Sequence, residues 1–114
     1  MNEQIVKKAV GCARHSIYRF RLGAVVYDKS NILGMGWNDA IKTHPKSPTP
    51  YKTRCAEFNA ILDSVDGWGY RMLRGASIYV HRLRKDGSPG LAKPCRYCEV
   101  LITWSGIKNV EYSR

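Results

Sequence analysis

Acidic side chains are in short supply: nine Asp and Glu stand against nineteen Lys and Arg, a formal charge of +10 over 114 residues. Such an excess attracts phosphates, whether on a nucleotide, a polynucleotide or an acidic partner, unless it is only a solvated basic surface. Long apolar runs are missing. None approaches the roughly 18 residues of a membrane span, and MNEQIVKKAV carries no apolar signal region, so no membrane partner and a cytoplasmic location are expected. Cysteines number four, without a second Cys-x-x-Cys pair, which argues against a disulfide framework and a zinc ribbon. No internal repeat or low-complexity tract occurs. What remains, 44% hydrophobic and 25% charged residues, is ordinary globular composition, and the length suits a single domain over 1–114.

Along the chain, Val6, Val10, Ala13 and Ile17 form an amphipathic stripe that predicts a helix over 3–19. Two short apolar runs, 22–27 and 32–37, flank Asp28-Lys29-Ser30-Asn31 and predict a β-hairpin. Gly34 and Gly36 leave one face of the second strand without side chains, so a helix or a ligand packs closely there. Pro45, Pro48 and Pro50 exclude helix and central strand from 39–53, a loop long enough to carry function. A helix is predicted from near Arg54, with Phe58, Ile61, Leu62 and Val65 as its core stripe and Gly67 and Gly69 ending it. Residues 76–83 read as a third strand, 84–93 as a polar loop, and 95–105 as a helix opened by Pro94 and stopped by Gly106. A last strand spans 107–112. The order α-β-β-α-β-α-β implies an α/β fold with a four-stranded mixed sheet, about three helices and parallel pairing in the final β-α-β unit.

Chemistry concentrates at two predicted helix starts, Cys55-Ala56-Glu57 and Pro94-Cys95-Arg96-Tyr97-Cys98. Helix N-termini present unpaired N–H groups and positive potential, which stabilise thiolates and their zinc complexes. If the two helices lie side by side, Cys55, Cys95 and Cys98 share one metal, and three sulfurs leave a fourth tetrahedral position open, as in catalytic sites. Glu57, two residues beyond Cys55 on the helix, points away from the sulfur and suits a general base; the alternative is a carboxylate that merely complements the helix dipole. Cys12 falls on an apolar helical pattern and reads as a buried small hydrophobe. His15 and His81 read as solvent or sheet-surface residues. Trp37, at a strand end, either stacks on a base or packs in the core. The basic residues crowd the cysteines in sequence: Lys42, Lys46, Lys52 and Arg54 precede Cys55, and seven more lie from Arg71 to Arg96 with Asp86 as the one acid.

These motifs resemble the zinc-dependent cytidine and deoxycytidylate deaminase superfamily, whose signature pairs His-x-Glu with Pro-Cys-x-x-Cys. The resemblance runs over nearly the whole chain, through Leu22-Gly23-Ala24-Val25, Gly36-Trp37-Asn38, Cys55 to Ile61, Gly106-Ile107 and Val110 to Ser113. It implies a cytidine deaminase-like fold, one Zn2+ per chain on Cys55, Cys95 and Cys98, and Glu57 shuttling protons while cytosine becomes uracil. It also implies a sugar contact at Asn38, which matches a sugar-contacting asparagine. Ala56, Trp37 and His44 are further candidate substrate contacts, His44 being either that or an exposed residue of the 39–53 loop, which is expected to act as a lid. Cys55 replaces the usual histidine of the deoxycytidylate branch, as in the small three-thiolate cytidine deaminases. Those enzymes carry an Arg after the Glu, where this chain has Phe58, so Arg54 or Arg96 is expected to offset the thiolate charge. Relatives commonly add a strand and a helix beyond the fourth strand, where this sequence reaches Arg114; a homo-oligomeric partner is expected to cover that edge.

Three functions remain open on the residues. The first is a deaminase of a small nucleoside or nucleotide: cytidine, deoxycytidine or dCMP. The second is a deaminase of single-stranded DNA or RNA, favoured by the charge. The third is a zinc-stabilised binding module without catalysis, for which Glu57 would have no use.

Overall fold

The computed structural model describes residues 3–16, 21–38 and 55–114. The 39–53 loop with His44, and Arg54 beyond it, lie outside the described residues, as does the 17–19 stretch that the first helix was expected to include.

The first helix, α1, runs Glu3–His15 and buries Ile5, Ala9, Cys12 and Ala13. Its buried face is rotated from the expected stripe, with Val6 and Val10 only half-buried. The cause lies in the sheet: a Cβ on Gly23 would run into the α1 backbone at Ala9 and Ala13, so the helix settles its small residues onto that bare position. Strands β1, Arg21–Asp28, and β2, Asn31–Trp37, form the expected antiparallel hairpin. Its two-residue turn places Lys29 at φ 57, the left-handed geometry that matches the right-handed twist of paired strands.

Helix α2, Ala56–Trp68, crosses the opposite face of the hairpin. Gly34 and Gly36 make that crossing possible: a Cβ on Gly36 would stand 2.5 Å from the Ala60 nitrogen. The close partner of the bare strand face is therefore a helix. The helix starts at Ala56, later than expected, and buries Ala56, Glu57, Phe58, Ala60, Ile61 and Ser64, while Leu62 and Val65 are half-buried. The small residues are inside because the two glycines draw the backbones together. Gly67 lies within the helix, and Gly69, at φ 84, ends it with its N–H on the Val65 carbonyl.

After a 3-10 turn at Tyr70–Leu73, strand β3, Ser77–Leu83, adds antiparallel to β1, and β5, Asn109–Tyr112, pairs parallel with the first half of β3. Between them lies helix α3, Arg96–Ser105, ended by left-handed Gly106. This is the expected β-α-β unit. The described sheet contains one strand more than the expected four: β4, Pro89–Gly90, pairs antiparallel with Arg82 and Leu83. The 84–93 segment turns back on itself because Asp86 Oδ1 accepts hydrogen bonds from the Ser88 N–H and O–H, Gly87 takes φ 87, and the Arg84 N–H reaches the Ser88 carbonyl at 2.9 Å.

Two cores result. Ala24, Val26, Ile78 and Val80 pack under α2 and α3 with Ile61 and Ile102. On the other face Val25, Tyr27 and Tyr79 meet Ile5 and Ala9 of α1. Among the described residues no helix is long and apolar enough to cross a membrane.

Candidate metal centre

The ordinary N-cap residue presents an oxygen to the first-turn N–H groups. Here the N-cap of α2 is Cys55 and the N-cap of α3 is Cys95, both with extended backbone and neither with a side-chain capping bond. Their sulfurs are instead directed at each other and at Cys98, on the first turn of α3. The three Sγ atoms all lie within 4.8 Å of one another. That spacing accommodates the roughly 3.8 Å between sulfurs in a tetrahedral site with Zn–S bonds near 2.3 Å. All three are free thiols rather than disulfides. Pro94 stands one residue before the cap rather than at the first helical position, where its fixed φ orients Cys95.

The electrostatics point the same way. The Cys98 thiol is pushed up by its hydrogen bond with Cys55, by burial, and by the negative charges of Glu57, Cys55 and Cys95. Three thiolates in this space without a cation would repel one another. A divalent, sulfur-seeking ion removes the conflict, and three protein ligands leave one position open. The positive ends of α2 and α3 meet at the cluster and offset part of its charge.

Glu57 follows Cys55 by two residues and is 5% exposed. Burial raises its pKa, opposed by hydrogen bonds from its own backbone N–H and from Cys98. It shares a cavity of about 370 Å³ with Cys55 and Cys95. Asn38, Leu22 and Val80 line one side of this space, and Leu91, Ala92 and Lys93 another, with Arg82 beside them. Asn38 is held at the end of β2 by exchange with Leu22: its Oδ1 accepts the Leu22 N–H at 3.0 Å and its own N–H donates to the Leu22 carbonyl at 3.2 Å. Asn59 of α2 donates from Nδ2 to the Trp37 carbonyl at 2.7 Å, tying the metal helix to the same strand end.

The structure thus brings Cys55, Cys95, Cys98, Glu57 and Asn38 together, and leaves other expected site residues elsewhere. Trp37 does not enter the cavity. Adjacent strand residues face opposite sides, and Trp37 faces α1, its ring centroid 4.8 Å from that of His15. There it lines a separate groove of about 730 Å³ with Met35 and Cys12, remote in chemistry from the thiols. Ala56 stands between the cavity residues Cys55 and Glu57, with its side chain buried in the core under α2. Arg96 is exposed and lines a surface hollow with Val100 and Trp104 on the outer side of α3 rather than the metal cavity. His81 is buried, not at a surface: it faces α1, with Nδ1 2.9 Å from the Tyr79 hydroxyl. Cys12 is buried as expected and its thiol pKa is raised, chiefly by burial.

Arg82 and Lys93 are the cavity residues that the sequence did not single out. Both belong to the basic run from Arg71 to Arg96, but nothing local distinguishes them from the other five cations in it. Ser113 is a third. Buried at 7% exposure, it donates from Oγ to the Gly90 carbonyl at 2.6 Å and accepts the Arg82 N–H at 2.9 Å. Its carbonyl takes the Ala92 N–H, and its own N–H reaches Val80, both at 2.9 Å.

The family model of the cytidine and deoxycytidylate deaminase zinc-binding region matches residues 1–114. No curated protein matches the sequence. Among solved structures, the chain is similar to the apo dCMP deaminase of cyanophage S-TIM5, with 25% identity, a TM-score of 0.72, and coverage of 96% of this chain and 79% of that one. It is also similar to a Thermotoga maritima diaminohydroxyphosphoribosylaminopyrimidine deaminase/5-amino-6-(5-phosphoribosylamino)uracil reductase, at 27% identity, TM-score 0.60, 96% of this chain and 28% of that one. The guanine deaminase of Bacillus subtilis shares the fold at 24% identity and TM-score 0.70, over 98% of this chain and 64% of that one.

Proposed function

The chain belongs to the cytidine and deoxycytidylate deaminase zinc-binding family, and from that premise we propose that it hydrolytically converts the cytosine of a small nucleoside or nucleotide to uracil. One observation carries the reading: Glu57, buried, opens into the same cavity as Cys55, Cys95 and Asn38. A purely structural metal site has no need of a buried carboxylate beside an open cavity.

Cys55, Cys95 and Cys98 would hold the ion, and zinc there supplies Lewis acidity, the property that makes water a competent nucleophile near neutral pH. Glu57 does the proton work. It accepts a proton from the attacking water and delivers it to the ring nitrogen, then takes the remaining proton of the added hydroxyl and passes it to the departing amine. A C–O bond forms, the exocyclic C–N bond breaks, and one water is exchanged for one ammonia. Burial favours the protonated carboxyl, which keeps Glu57 competent as the donor in the later steps. Asn38, locked to Leu22, offers a fixed polar contact for the sugar.

The net charge of +10 supports a second reading, deamination of a cytosine in single-stranded nucleic acid. A panel of nucleosides, monophosphates and short oligonucleotides, followed by ammonia release with and without a zinc chelator, separates the two. The expected result is turnover of a small cytosine compound that is lost on chelation and falls at least about 100-fold in Glu57→Gln at unchanged zinc content. Turnover confined to oligonucleotides favours the second reading; Glu57→Gln with full activity overturns both.

A further inference from the structure

We propose that the Arg82 guanidinium and the Lys93 ammonium form a phosphate subsite in the metal cavity, so that its substrate class is a nucleoside 5′-monophosphate rather than a free nucleoside. The inference rests on the nucleobase-deaminase reading and names the part of the substrate that reading leaves open.

The cavity is chemically graded. At its metal end stand Cys55, Cys95 and the buried Glu57, and Glu57 supplies its one carboxylate among the described lining residues. Arg82 follows Val80 by two residues on β3, so both side chains leave the same sheet face, but Val80 is buried while Arg82 is half-buried. Lys93 precedes Cys95 by two residues and is exposed. From the buried Glu57 to the half-buried Arg82 and the exposed Lys93, the lining therefore changes from acidic to basic toward solvent. A base placed against Glu57 leaves its sugar near Asn38 and whatever the sugar carries near Arg82 and Lys93. A planar guanidinium and a point ammonium together suit a terminal phosphate: one binds two oxygens in a fork, the other neutralises the second charge. A cavity of about 370 Å³ is at the small-ligand end of the range.

Ser113 makes this pair a built arrangement rather than two neighbouring surface cations. Arg82 lies on β3 and Lys93 on the segment after β4, and Ser113 binds both strands of chain at once. Its Oγ accepts the Arg82 N–H and donates to the Gly90 carbonyl, and its carbonyl holds the Ala92 N–H. The buried hydroxyl thereby sets the spacing of the backbones from which the two cations extend.

The test is calorimetric binding to the zinc-loaded protein, with no turnover required. Uridine and deoxyuridine are compared with their 5′-monophosphates, and the corresponding cytosine pairs are run in Glu57→Gln. A short oligonucleotide with no terminal phosphate distinguishes a backbone phosphate from a terminal one. The monophosphates are expected to bind roughly 10- to 100-fold more tightly than their nucleosides. That preference falls to a few-fold or less in Arg82→Gln and in Lys93→Glu, while nucleoside affinity and zinc content stay within about two-fold. Lys93 is exposed, so its variant remains informative if Arg82→Gln misfolds. Equal affinity for nucleoside and monophosphate, a preference untouched by Lys93→Glu, tighter binding of the oligonucleotide, or no binding of either compound each overturns the proposal. A retained monophosphate preference without any deamination sinks the catalytic reading alone.

Discussion

Cys55 and Cys95 occupy the same capping position on two different helices, and at both the sulfur leaves the cap unfilled to meet the other. The first-turn N–H groups of α2 and α3 consequently converge on one small volume. A helix start that relinquishes its own cap to gather negative charge loses local stability, and the loss is recovered only when a cation joins the thiolates.

Metal binding should therefore be coupled to folding. Replacing Cys98, the fully buried member, with Ser is expected to reduce bound zinc from one per chain to below about a tenth and to remove several kcal/mol of stability. Metal analysis after dialysis, with thermal unfolding of wild type and variant, checks both. Chelation of the wild type should lower the melting temperature in the same direction.

Gly36 controls how closely α2 lies on the sheet. In Gly36→Ala the new methyl would meet the Ala60 backbone at 2.5 Å. The helix must retreat, at a cost of at least about 1–3 kcal/mol, and it carries Cys55 and Glu57 with it. Urea unfolding should show the lost stability, and a zinc-competition titration should show weaker binding. Unchanged zinc affinity in a destabilised Gly36→Ala would mean that the hairpin does not position the metal helix.

Ser113 should act on substrate binding through Arg82 and the 90–92 segment. Ser113→Ala strands the Arg82 N–H and the Gly90 carbonyl and is expected to cost about 1–3 kcal/mol. The distinguishing readout is kinetic: KM for the preferred substrate should rise several-fold, with kcat changed less. A uniform loss of folded protein, with unaltered KM in the remainder, would leave Ser113 a structural residue only.

His81 predicts an acid limit independent of the metal. Burial lowers its pKa below the ordinary histidine value, and Tyr79 at 2.9 Å is placed to donate to neutral Nδ1. Glu111 approaches the same face, accepting from the Tyr27 hydroxyl at 3.1 Å. The unfolded chain takes up the proton first as pH falls through about 6.5, so stability declines from there down to the lower folded-state pKa. Urea midpoints between pH 8 and pH 5 should drop more steeply in wild type than in His81→Gln. Parallel slopes would show that His81 is not the group responsible.

The sequence by itself determined the chemistry of the centre. Ligand identity and the Cys-x-Glu and Cys-x-x-Cys spacings act within one helical turn, so local chain geometry decides them. The hairpin, the final β-α-β unit and the need for something close against Gly34 and Gly36 were equally local. Tertiary structure decided what local pattern cannot: Trp37 faces α1 because of its pairing with Gly23, and His81 is buried because α1 covers that face of the sheet. It also chose Arg82 and Lys93 from seven similar cations. That choice depends on the parity of β3 and on Ser113 joining two segments distant in the chain, and a sequence lists cations without recording which strand face or distant hydroxyl will hold them.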